Sequence, residues 1–248
     1  MRSMVKMTWM EAKLFLREPA SAFFSLIFPL MMLLIFGTIY GSQSVPGTGS
    51  TEEAIGALIP SFTGMIIGMI GLMPITITMA TYRENGILRR LRTTPVGPLV
   101  VMMAQLVVVF AMTTLGMALL VAAGRLIYHV SFPENVFSVL GGFVLGSLSF
   151  FAIGFILAGL MPTARAAQIV GMVLLYPMLI LSGAGWPREL MPPAVLKLSA
   201  YLPLTYVVNL LRGLWFGESW AQHTTDVLVL LGLLVGGVLI SIRTFRWE

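Results

Sequence analysis

Between two long apolar runs lies Tyr82-Arg83-Glu84-Asn85-Gly86-Ile87-Leu88-Arg89-Arg90-Leu91-Arg92-Thr93-Thr94-Pro95. Four arginines and one glutamate stand together in a chain with only 10% charged residues, against about 25% in a soluble domain. Guanidinium groups at this density can grip an acidic protein surface or hold anionic lipid head groups. Both are contact roles, and the pattern inside the stretch suits contact. Asn85-Gly86 breaks the preceding helix. Ile87, Leu88 and Leu91 then share one face of about two helical turns, with Arg89, Arg90 and Arg92 on the remainder. Thr93-Thr94-Pro95-Val96-Gly97-Pro98 stops that short helix. Glu84 is the one acid of the loop, within reach of Arg83 or of a basic residue on a partner.

Other chemistries are excluded by residue type. The chain has no cysteine, so thiol nucleophiles, disulfides and iron–sulfur clusters are ruled out. Its three lysines are Lys6, Lys13 and Lys197, none of which follows a glycine, and a phosphate-cradling G-x-x-x-x-G-K-[ST] loop is absent. Neither H-E-x-x-H nor G-x-S-x-G occurs, and His129 and His223 stand too far apart in sequence to form a motif. The sequence pI of 9.9 does not signal nucleic acid, because the basic residues end apolar runs instead of covering a solvated face.

The elements that must position the basic stretch follow from hydropathy. At 58% hydrophobic residues the chain cannot cover a globular surface, so an all-α membrane protein is expected. Windows without Asp, Glu, Lys or Arg and close to the about 20 residues a span needs are 20–40, 58–81, 99–123, 136–161, 166–181 and 227–242. With both termini on one side, that side holds Arg2, Lys6, Lys13, Arg17, Arg83, Arg89, Arg90, Arg92, Arg165, Arg243 and Arg246. The other holds only Arg125, Arg188, Lys197 and Arg212. The positive-inside rule then makes both termini and the Arg83–Pro98 loop cytoplasmic. The lack of charge inside the windows leaves no relay for an ion-coupled carrier, so the energy for any transport is expected from outside the chain.

Lys6, Lys13 and Arg17 fall on one stripe of an N-terminal helix over residues 1–19, with Trp9, Leu14 and Leu16 off it, which reads as an amphipathic interfacial helix. Gly41–Ala57, rich in Gly, Ser and Thr, reads as an external flexible linker. Ser182–Thr225 is long, apolar and interrupted by Pro187, Pro192, Pro193 and Pro203. It reads as short re-entrant or interfacial helices between spans 5 and 6, with Trp186, Tyr201, Tyr206, Trp215 and Trp220 in an aromatic belt. In span 2, Gly64, Gly68 and Gly71 predict close helix packing. Met65, Met69 and Met73 make an i, i+4, i+8 stripe suited either to core packing or to an adaptable apolar route.

The stretch from Arg83 to Pro95 resembles the R-E-x-G-x-hydrophobic-x-x-L-x-x-T-P signature of type-2 ABC exporter permeases. Leu202-Pro203-Leu204-Thr205-Tyr206-Val207-Val208-Asn209-Leu210-Leu211-Arg212-Gly213 resembles their second, external signature. The basic amphipathic start, six spans and long fifth loop fit too, nearest to daunorubicin-resistance-type drug, lipid and polysaccharide export permeases. The resemblance implies a single permease domain over 1–248 in the plasma membrane, moving an amphipathic drug, lipid or lipid-linked glycan outward. It implies a second permease copy, identical or paralogous, and a separate cytoplasmic ABC ATPase that uses ATP and Mg, with no cofactor bound by this chain. Arg83, Glu84, Gly86, Ile87, Leu88, Arg89, Arg90, Leu91, Arg92 and Pro95 would form the ATPase-coupling helix, and residues 4–18 a connecting helix. Spans 2 and 5 would border the cargo route, making Phe62, Met65, Met69, Met73, Gln168 and Met172 the pathway candidates. An energy-independent membrane scaffold or assembly factor and a secondary carrier are the alternatives.

Overall fold

A computed structural model of the chain describes residues 2–19, 23–42, 50–87, 90, 98–131, 133, 135–186 and 191–244. In chain order its helices are α1 (Arg2–Arg17), α2 (Phe28–Ser42), α3 (Thr51–Glu84), α4 (Pro98–Tyr128), α5 (Val136–Leu160), α6 (Ala164–Leu181), α7 (Pro193–Ser199), α8 (Pro203–Trp215) and α9 (Thr224–Thr244). No strand occurs among the described residues. Six helical segments are long and apolar enough to cross a membrane: α2 with the turn before it, α3, α4, α5, α6 and α9. The all-α membrane fold expected from the sequence is the fold observed. The turn before α2, Phe23–Ile27, is a widened π-helical one. It directly precedes Pro29, which has no N–H for the ladder and whose ring crowds the preceding turn.

The axis of the bundle is α3, with α2, α4, α5, α6 and α8 packed around it. Its most apolar window is 94% buried, so this helix meets protein on nearly every face, as an all-round apolar helix must. Its 34 residues make it about 50 Å long, well beyond the about 30 Å of a hydrocarbon core. The Ser50 hydroxyl starts it by accepting the Glu53 N–H at 3.2 Å, with Glu52 and Glu53 beside the positive end of the helix dipole. The flexible linker expected over Gly41–Ala57 is thereby corrected: Thr51–Ala57 belongs to α3, while residues 43–49 lie outside the described residues. Ser50-Thr51-Glu52-Glu53 has the spacing of a capping box before an apolar run, a signal hidden by the polar composition around it. Similarly, α4 passes its expected end at Ala123 and reaches Tyr128, whose hydroxyl donates to the Leu34 carbonyl of α2 at 2.9 Å.

The glycines expected to pack helices closely do so. A methyl group on Gly64 would meet the Val208 side chain, one on Gly68 would meet Leu204 and Leu175, and one on Gly71 would meet Phe150. Gly154 of α5 lies so close to α3 that a methyl there would collide with the Gly71 carbonyl.

From Leu204 beside Gly68, through Val208 beside Gly64, to Trp215 beside Gly56, α8 runs antiparallel to α3 from its middle to its Thr51 end. At the Gly68 level α6 also arrives, through Leu175. The chain therefore enters and leaves this excursion on the same side. The pair α7–α8, bent by 103°, is re-entrant, as expected. Trp186 and Tyr201 are exposed, whereas Trp215, also expected in the belt, is buried beside Gly56 of α3.

Candidate functional site at the end of α3

Three consecutive residues at the end of α3 each hold a different element. The Tyr82 hydroxyl donates to Glu11 Oε1 of α1 at 2.6 Å. Arg83 Nη1 donates to the Gly159 carbonyl in the last turn of α5 at 3.1 Å. Glu84 Oε2 accepts the N–H of Ala164, the first residue of α6, at 2.9 Å. Each charge matches the helix end it meets. The cation lies on terminal carbonyls that have no partner within their helix, and the carboxylate lies on an equally orphaned terminal amide. Thr163 completes the start of α6 by accepting the Ala166 N–H at 3.2 Å. Arg83 and Glu84 thus clasp the α5–α6 turn from both sides, and the expected Arg83–Glu84 pairing gives way to these two separate contacts. A second Arg83 nitrogen, Nη2, is buried without a hydrogen-bond partner among the described residues.

Glu11 is the anchor on α1 and is only 3% exposed. Burial pushes its carboxyl above the ordinary value, and the Tyr82 hydrogen bond opposes this without cancelling it. The sequence offered no sign of this role, because Glu11 lies opposite the Lys6–Lys13–Arg17 stripe that dominates the pattern. That stripe is exposed, flanked by exposed Val5, Trp9, Met10 and Leu14, as suits a helix lying on a membrane surface.

Immediately after the clasp the chain breaks. Asn85 caps α3 by donating its N–H to the Thr81 and Arg83 carbonyls. Gly86 takes φ +65°, where a side chain is strained. The Arg90 N–H donates to the Gly86 carbonyl at 3.1 Å. Ile87 is half-buried and Arg90 exposed. Leu88, Arg89, Leu91, Arg92 and Pro95 of the coupling segment lie outside the described residues.

The pathway candidates fall into different settings. Phe62 and Met65 are enclosed in the core, at 1% and 2% exposure. Met69 and Met73 are partly buried, and Met73 lies against Gly171 of α6. Met172 is half-buried, and Gln168 faces outward from α6.

At the opposite end of the bundle is a cluster the sequence reading missed. His223 places Nδ1 2.8 Å from Asp226 and Nε2 2.8 Å from Glu218. Burial disfavours the imidazolium, but hydrogen bonds and charge from both carboxylates outweigh it and hold the His223 pKa above 6.5. The i, i+3 spacing of His223 and Asp226 was the only sequence signal.

Comparison with known proteins extends over most of the chain. It is 28% identical to "Inner membrane transport permease YhhJ" of Escherichia coli (strain K12), covering 74% of this chain and 50% of that protein. It is 29% identical to "Nodulation protein J" of Rhizobium leguminosarum bv. viciae over 40% of this chain and 38% of that one. Against YvfS of Bacillus subtilis (strain 168), a transport permease by its name, identity is 26% over 82% of this chain and 81% of that protein. The chain spans about half the length of the Escherichia coli relative it matches. The profile of the ABC-2 type transporter family matches residues 3–216, which takes in α1, the junction at the end of α3 and the re-entrant pair. The chain belongs to the ABC-2 type transporter family.

Proposed function

We propose that this chain is the transmembrane subunit of an ATP-driven exporter in the plasma membrane, worked by a separate cytoplasmic ABC ATPase that binds ATP and Mg. The observation that carries the reading is the Tyr82–Arg83–Glu84 junction. The basic stretch that follows in sequence begins directly after three successive side chains tied to α1, α5 and α6. A push on the loop would therefore reach three elements at once, and a rigid link transmits displacement where a slack one absorbs it. Family membership supports an ATPase partner, and the arginine excess supports a cytoplasmic loop with both termini on the same side. A second copy of this chain or a paralogue would complete the permease, and an amphipathic drug, lipid or lipid-linked glycan would be the cargo. Arg90, with Arg89 and Arg92, would face the ATPase.

The test is affinity purification of the tagged chain from native membranes in mild detergent. Vanadate-sensitive ATP hydrolysis should co-purify, and the Arg89→Ala/Arg90→Ala variant should lose it while inserting normally. A wild-type preparation free of any ATP-hydrolysing partner overturns the reading in favour of a scaffold or carrier.

A further inference from the structure

Between α1, α3 and α4 lies a cleft of about 420 Å³, of which the junction uses only the Glu11–Tyr82 contact. Its lining includes two nearly buried polar side chains, Glu11 at 3% and Gln105 at 4% exposure, together with Thr78, Thr81 and Tyr82. Tyr82 engages Glu11 through Oε1. At the rim stand Arg17 and Glu18, both exposed. The walls are apolar, from Leu14 and Phe15 of α1, Pro74 and Ile77 of α3, and Val108 of α4.

We propose that this cleft binds the head group of an aminophospholipid of the surrounding bilayer, a phosphatidylethanolamine. Its ammonium meets the Glu11 carboxylate and the Gln105 carbonyl, its phosphate meets Arg17, and its acyl chains leave along the apolar walls. A carboxylate withdrawn from water is stabilised by a cation that can also donate hydrogen bonds. A guanidinium above it supplies the phosphate partner. The buried Glu11 carboxylate and the Arg17 guanidinium at the rim, where Glu18 also stands, complement a zwitterion whose ammonium and phosphate are two carbons apart. The depth fits as well, since the cleft opens beside a helix whose exposed face alternates apolar and basic groups, as at a head-group layer. A cleft of this volume falls within the about 300–1,000 Å³ of ordinary ligand sites. Phosphatidylcholine has no N–H to give Glu11, and phosphatidylglycerol has no cation. The site stands whether or not an ATPase drives the chain.

Native mass spectrometry of the purified chain with equimolar phosphatidylethanolamine, phosphatidylcholine and phosphatidylglycerol tests it. Phosphatidylethanolamine adducts should exceed each of the others by about tenfold, the effect of one charge-assisted hydrogen bond. Glu11→Gln keeps an acceptor for Tyr82 and should bring the three lipids to parity. Leu14→Trp, which narrows the cleft from its rim, should lower phosphatidylethanolamine binding and decides the matter if Glu11→Gln does not fold. Equal binding of the three lipids by the wild-type chain overturns the proposal, as does phosphatidylethanolamine binding undiminished by Leu14→Trp or a preference that survives a folded Glu11→Gln.

Discussion

Glu84 of α3 and Ala164 of α6 are joined by a 2.9 Å hydrogen bond across 80 residues of sequence. The Glu84 carboxylate thereby helps to start a membrane helix of its own chain. Arg83 makes the complementary contact to the end of α5, so the α5–α6 turn cannot shift without moving the end of α3.

Glu84→Ala should therefore act twice. Losing a helix-start acceptor costs about 0.5–2 kcal/mol, a fall of about 1–8 °C in the thermal midpoint for a chain of this size. Under the proposed function, ATP-dependent transport by the reconstituted complex should also fall by more than the stability loss explains. Glu84→Gln retains an acceptor for the Ala164 N–H and should recover most of the midpoint. A Glu84→Ala protein with an unchanged midpoint would show that the bond carries no load.

Gly86 separates the clasp from Ile87 and Arg90. At φ +65°, alanine is strained by about 1–2 kcal/mol. Proline cannot adopt the angle at all and removes the N–H that donates to the Arg83 carbonyl at 3.0 Å. We expect Gly86→Pro to insert normally and to uncouple ATP hydrolysis from transport, with Gly86→Ala intermediate. Paired assays of insertion and transport in vesicles check this, and normal transport by Gly86→Pro would remove the loop from the mechanism.

Most of the fold was legible because membrane spans announce themselves by length and absence of charge. Asn85-Gly86 marked the end of α3, and the prolines of Ser182–Thr225 marked a re-entrant pair. What composition concealed was the start of α3, where Ser50 and Glu53 form a cap inside a stretch that looks like a linker. The junction was half legible. Arg83 and Glu84 stood out by charge, but their partners are backbone groups, Gly159 O and Ala164 N–H, which no side-chain pattern reports. Glu11 was invisible for a related reason: its partner, Tyr82, lies 71 residues away and carries no charge to match.

Packing around α3 makes a third prediction. Gly154→Ala drives a methyl into the Gly71 carbonyl, and Gly71→Ala meets Phe150. Each should destabilise by about 1–3 kcal/mol, as overpacking does. Gly232 and Gly236 of α9 have open space where a methyl would go, and alanine there should be neutral or mildly stabilising. Fluorescence-detected size-exclusion after heating ranks the four variants. Equal midpoints for Gly154→Ala and Gly232→Ala would mean that α3 and α5 do not approach as described.

The last prediction concerns pH. Both ring nitrogens of His223 sit 2.8 Å from carboxylate oxygens, and only the imidazolium donates from both at once. The folded-state pKa is raised above 6.5, against burial, by Asp226 and Glu218. Arg212 lines the same cavity. A histidine with a raised folded pKa stabilises the fold fully below its unfolded value and loses that contribution as pH climbs through the folded one. The wild-type midpoint should therefore fall between pH 6 and pH 9 by about 3–12 °C more than that of His223→Gln, the effect of one charge-assisted hydrogen bond. Asp226→Asn should shift the transition to lower pH by removing one of the two stabilising charges. If wild type and His223→Gln lose stability in parallel across that range, the link between α8 and α9 does not depend on the imidazolium.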